Sequence, residues 1–167
     1  MAYLLDTNTL IQAKNEYYGF DICPGYWNWI EEATLLGDVI SIKPVLEELR
    51  DGEDELTAWA NKLEKESPFF QPMDQEAVGK IAKVVEWVQN GDFKEQAKRD
   101  FLTRADPQLI AYAIAHEGVT IVTHEVHVEG EKKKVKIPTV CRALGIPCER
   151  TFSMLSREKI QFDLTWL

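Results

Sequence analysis

Apolar residues in this chain come in two kinds of block. Ala2–Leu5 and Val39–Ile42 are short runs bounded by polar residues, and Val119–Thr123 is the clearest of the kind. Such short apolar or β-branched runs predict buried strands. Between them the apolar positions recur at helical spacing. Thr7–Lys14 is the first such segment; Pro24–Leu36 follows, with Trp27, Ile30 and Leu35 on one stripe and Gly37 past its end. Pro44 opens a short helix through Arg50, Asp51-Gly52 turns the chain, and Glu53–Lys65 is helical again. Ser67–Pro72 is extended, because its two prolines exclude a helix. Asp74 caps a longer helix through Gln89, with Val78, Ile81, Val85 and Val88 on one face. Asn90-Gly91 breaks it, Phe93–Leu102 is the next helix, and Asp106-Pro107 begins another, Leu109–His116, that Gly118 ends.

Beyond the third strand, Val126–Val128 and Lys134–Ile137 flank Glu129-Gly130-Glu131, the pattern of a β-hairpin over residues 126–137. Pro138 starts a helix through Leu144, Gly145 stops it, and Ile146–Phe152 reads as a last strand before a tail, 153–167. Strands separated by helices predict an α/β fold with a mostly parallel central sheet. In such folds ligands sit at the carboxyl ends of the strands.

Composition narrows the class. The 167 residues, 45% hydrophobic, predict a single domain with a real core. No apolar run reaches the 18 or so residues of a membrane helix, so no membrane role is expected. Asp6 interrupts the first apolar stretch, which has no basic leader, against a signal peptide. Cys23, Cys141 and Cys148 form neither a CxxC pair nor an even set, so buried thiols and a cytoplasmic location are expected. The net charge of −9 argues against a simple nucleic-acid binder. It conceals an asymmetry, however: residues 1–125 hold 11 Lys+Arg and 23 Asp+Glu, whereas residues 126–160 hold 8 and 4. An acidic body with a basic C-terminal section leaves an anionic partner open.

Four carboxylates fall where the fold places chemistry. Asp6 directly follows the first strand, Glu48 lies on the short helix after the second, Asp106 stands at a helix entrance, and Glu125 follows the third strand. Each has a plainer reading: Asp6 and Asp106 as helix starts, Glu48 as one of a solvated acidic face, Glu125 as the lead into a hairpin. Their order and strand context favour convergence. Carboxylates brought that close repel unless protons or a cation neutralise them. Hard oxygen donors without a His/Cys set select Mg²⁺ or Mn²⁺, and a water activated beside such a cation can attack a phosphodiester in line.

These residues resemble those of the PIN-domain nucleases, especially the toxin-type, VapC-like ribonucleases of toxin–antitoxin pairs. The resemblance rests on Leu4-Leu5-Asp6-Thr7-Asn8, Val45-Leu46-Glu47-Glu48-Leu49, Ala105-Asp106-Pro107-Gln108-Leu109-Ile110-Ala111 and Val119–Glu125, and spans residues 1–150. It implies a three-layer α/β/α sandwich, here with an added C-terminal β-hairpin. It also implies metal-dependent RNA cleavage by an acidic cluster of Asp6, Glu48, Asp106 and Glu125, with Thr7, Asn8 and Thr123 in support. A cognate antitoxin and a homodimer are implied as partners. The family commonly carries Asp where this chain has Glu125, a longer arm.

An RNA substrate needs cations beside the acids. Lys98, Arg99 and Arg104 precede Asp106, and Lys132, Lys133 and Lys134 form the strongest basic run. Trp27, Trp29, Trp59 and Trp87 can stack bases, but their amphipathic helices favour core positions. His124 and His127 face opposite sides and make no zinc pair, although His124 stands beside Glu125. The main alternative is a catalytically inactive PIN-like module that binds protein or RNA. A haloacid-dehalogenase-type phosphoesterase would want Asp where Asn8 stands.

Overall fold

The computed structural model describes residues 1–163. Its centre is β1 (Ala2–Leu5), flanked by β2 (Val39–Ile42) on one side and β4 (Val119–Val122) on the other. Two-residue strands β3 (Phe70–Gln71) and β5 (Cys148–Glu149) extend the sheet to the order β3-β2-β1-β4-β5. Every pairing is parallel. The three long strands are buried along nearly their whole length, as expected of a layer with helices on each face.

Among the described residues nine α-helices make the outer layers: α1 (Thr7–Gln12), α2 (Pro24–Leu36), α3 (Lys43–Arg50), α4 (Glu55–Glu66), α5 (Gln75–Asn90), α6 (Glu95–Leu102), α7 (Asp106–Ala115), α8 (Ile137–Leu144) and α9 (Thr151–Arg157). A π-helical turn, Ala13–Tyr17, prolongs α1. The core is one continuous cluster through both layers, with Leu4, Leu5, Ile30, Leu46, Ile110 and Ile121 fully buried. Between the sheet and α5, α7 is apolar nearly all round.

The structure corrects several expectations. Residues 126–136 form no hairpin: Val126 and Val128 of the expected first arm are both exposed, while Val135 and Ile137 of the second are buried, so the two arms do not share a face. The backbone of this loop bonds elsewhere, with Lys94 N donating to the Lys132 carbonyl at 2.8 Å and Ile137 N to Glu125. The last strand is confined to Cys148–Glu149, because Pro147 before it has no N–H and Arg150 caps a helix after it. Thr151–Arg157 is therefore helical where a strand end and a tail were expected; residues 164–167 of that tail lie outside the described residues. On α5 the buried line is Ala77, Val84 and Val88, with Val78 exposed; small Ala77 lets α7 approach closely. Leu35 likewise faces solvent, and α2 buries Tyr26, Trp27, Ile30 and Ala33 instead.

Candidate active site

From β1 the chain proceeds outward through β2 to β3, then returns to β4 on the opposite side of β1. The carboxyl ends of β1 and β4 thus flank the switch point of the sheet, where a crevice opens. Leu5 pairs with Val122, so Asp6 and Thr123 emerge side by side. As the strands end, buried hydroxyls take over the ladder: Ser41 donates to the Leu5 carbonyl at 2.8 Å and Thr9 to the Val122 carbonyl at 3.0 Å.

Asp6 is 1% exposed. Its carboxylate accepts Thr9 N at 2.6 Å, capping α1, and the Thr123 hydroxyl at 2.7 Å. The Thr123 hydroxyl also accepts Glu125 N at 3.1 Å, so one side chain orients both acids. Glu48 turns inward from α3. It accepts Ala105 N, at the entrance of α7, at 2.8 Å on one oxygen and the Thr7 hydroxyl on the other. Glu125 accepts Ile137 N, the first residue of α8, at 2.8 Å. Asp106 is the first residue of α7 and has no hydrogen-bond partner for its carboxylate among the described residues.

Three helices therefore present their amino ends, those of α1, α7 and α8, to the same acids. Their unsatisfied N–H groups and partial positive charge ease the gathering of carboxylates without removing its cost. Burial pushes Asp6 up to about 6, against the hydrogen bonds of Thr9 and Thr123. Burial, followed by the charges of Asp6, Glu125 and Glu48, pushes Asp106 up to about 8, with Arg104 pulling the other way. Packed together, these acids hold protons more strongly than isolated carboxylates do.

Beside the acids lies a cleft of about 350 Å³ whose walls include Asn8, Arg104, Asp106, His124, Glu125 and Lys134. The cations expected near an anionic substrate divide into two groups. Arg104, Lys133 and Lys134 line the cleft. Lys98 is tied to the Gln89 carbonyl at 2.8 Å and to Glu95, Arg99 to Gln96, and Lys132 to Asp92. Trp27 and Trp59 are core residues. His127 bonds Thr139 and Glu129, apart from His124.

Gln12, Asp100 and Phe101 also line the cleft, and nothing in their own sequence neighbourhood marks them. Tyr17 and Phe152, which stack around His124, were missed as well. No signal in the chain marked them, because the turn that carries Tyr17 is π-helical and departs from the α-helical period.

The donors are all hard oxygens carrying mutually unfavourable charge, which fits a hard divalent cation in chemistry. As the side chains stand, no three His, Cys, Asp or Glu residues among the described residues are grouped to hold one.

No helix among the described residues is long and apolar enough to cross a membrane. No curated protein matches the sequence. The fold resembles the PIN domain of VapC: a chain in the crystal structure of VapBC2 from Rickettsia felis, bound to a DNA fragment from their promoter, superposes with a TM-score of 0.54 at 19% identity. The match covers 90% of this chain and 98% of that one. In sequence, the family model described as Domain of unknown function (DUF4411) matches residues 3–162, and the chain belongs to that family.

Proposed function

We propose that this chain is a Mg²⁺- or Mn²⁺-dependent endoribonuclease and the toxin component of a toxin–antitoxin pair. The observation that carries this reading is the convergence of four carboxylates, distant in sequence, at the switch point of a PIN-like sheet, beside a cleft edged with Arg104, Lys133 and Lys134. Asp6, Glu48 and Asp106 would hold the metal, with Glu125 holding a second or tuning the first. A bound divalent cation there supplies polarisation of a phosphate oxygen and activation of water.

The protein's own residues do the rest. Arg104, Lys133 and Lys134 draw the RNA backbone to the cleft through counterion release. Thr123 fixes the orientation of Asp6 and Glu125, and Thr7 fixes that of Glu48. Asp106, raised by burial and by its neighbours' charge, is the acid whose proton a bound cation would compete with. The VapBC2 likeness supports a cognate antitoxin as partner, and a homodimer accords with the PIN resemblance.

A second reading, a binding module without catalysis, is favoured by one feature: both glutamates already accept backbone amides. Cleavage of a labelled structured-RNA pool separates the two. The nuclease cuts with Mg²⁺ or Mn²⁺, stops with chelator, and stops in a folded Asp6→Asn variant. Absence of cutting in any metal, by folded protein free of antitoxin, leaves the binding module.

A further inference from the structure

His124 on the cleft wall belongs to an aromatic group assembled from three separate elements. Tyr17 closes the π-helical turn after α1, His124 follows β4, and Phe152 lies in the first turn of α9. Tyr17 stacks on His124 with centroids 5.1 Å apart and planes at 21°. Phe152 stands edge-on to Tyr17 at 5.3 Å, and against His124 at 6.0 Å. Arg150 places its guanidinium carbon 5.8 Å from the Phe152 ring.

Two properties set this group apart from the core aromatics. Tyr17 and Phe152 remain 41% and 43% exposed, although folding places them in contact. Their middle member is anchored: the buried Thr151 hydroxyl lies 3.2 Å from His124 Nε2, and His124 itself lines the cleft next to Glu125. The rings therefore form a preorganised surface that starts one residue from the acids and carries a cation at its outer side.

We propose that Tyr17, His124 and Phe152 form a nucleobase-stacking subsite for single-stranded RNA, with Arg150 taking the phosphate beside the stacked base. This rests on the nuclease reading and names where the substrate lies in that site. Aromatic stacking suits any base, because every base has a π-face, and a guanidinium beside it adds backbone attraction. A base held here places its neighbouring phosphate toward Asp106 and Glu125. Duplex RNA keeps its bases stacked inside the helix and does not fit.

The test is binding without turnover. Fluorescence anisotropy with chelator present compares a labelled six-nucleotide single-stranded RNA with the same RNA carrying one abasic position, scanned along its length. Wild-type protein is set beside Tyr17→Leu, Phe152→Leu and the ring-preserving Tyr17→Trp, each checked for wild-type circular dichroism. The expected result is a loss of at least about fivefold for each Leu variant. Tyr17→Trp keeps affinity, and the abasic penalty at one position disappears in Tyr17→Leu. If the Leu variants bind all these RNAs as wild type does, or if wild-type protein shows no abasic penalty anywhere, the subsite is overturned. Neither result touches metal-dependent cleavage, which is measured separately. Conversely, protein that shows the abasic penalty yet never cuts keeps the subsite and loses the nuclease.

Discussion

Glu47 and Glu48 are neighbours on α3, and their surroundings are opposite. Glu47 is turned to solvent, where Arg50 pairs with it at 2.6 Å and joins it to Glu64 and Lys43 in a surface network with α4. There each acid has a cation, and Lys43 and Arg50 hold Glu64 below the ordinary carboxylate range. Glu48, about 100° further round the helix, meets an amide, a hydroxyl and other acids instead. There burial and like charge push Asp106 up to about 8. The same residue type thus settles a surface in one place and stores electrostatic repulsion in the other. Stored repulsion that a cation can relieve is what a binding site needs and a scaffold avoids.

The strongest way to break this contrast is to remove an acid from the cleft. Asp6→Asn or Asp106→Asn is expected to lower RNA cleavage on the order of 100-fold or more, comparable with loss of a positioned catalytic group. Initial rates on labelled RNA in Mg²⁺ and Mn²⁺ check it. A Glu47→Gln variant serves as the control and keeps its activity.

Stability against pH sharpens the comparison in a second way. Folding raises Asp106 from 3.8 to about 8, and Asp6 from 3.8 to about 6. Between the unfolded and folded values the folded chain binds more protons, so stability falls as pH rises from about 4 to about 8. Without metal, Asp106→Asn is therefore expected to be more stable than wild type at pH 9, on the order of 2–4 kcal/mol. The two should converge near pH 3. Adding Mg²⁺ at pH 9 should raise the melting temperature of wild type and leave that of the variant nearly unchanged. Thermal unfolding followed by circular dichroism reads all three.

A smaller effect tests the orientation of Glu48. Glu48→Ala leaves Ala105 N and the Thr7 hydroxyl without their acceptor, at about 1–2 kcal/mol of stability. Less repulsion on Asp106 offsets part of that loss at high pH, so the deficit should be larger at pH 5 than at pH 9. The basic residues give the finest distinction. Lys133→Gln with Lys134→Gln should reduce the slope of log affinity against log salt by about 0.7 for each phosphate contact removed. Lys98→Gln should change it little, because Lys98 is bound to Gln89 and Glu95.

Much of the fold was legible from local pattern. The three short apolar and β-branched runs became β1, β2 and β4, and the caps at Asp74 and Gly37 stand where their chemistry placed them. The hairpin was not legible. Val126, Val128 and a Glu-Gly-Glu turn satisfy the local rule for paired strands, but nothing local reveals that the side of Val126 and Val128 will be left uncovered. The site was legible only in part. The acids could be named from their places after strands, whereas Lys98 and Lys134 looked alike until α5 claimed one and the cleft the other. Tyr17 and Phe152 carry no mark in the chain, because a stack built from three elements has no period in any of them.

The sequence by itself determined the three long strands and most of the helices, and that four acids lie at or shortly after strand ends and helix starts. Those properties depend on neighbours within a few residues, through side-chain periodicity and capping. Only the tertiary structure decided that β1 and β4 lie side by side and that three helix amino ends meet there. It also decided that one glutamate of an adjacent pair turns inward. Each of these depends on contacts between residues some forty to more than a hundred positions apart, where packing and charge act through space rather than along the chain.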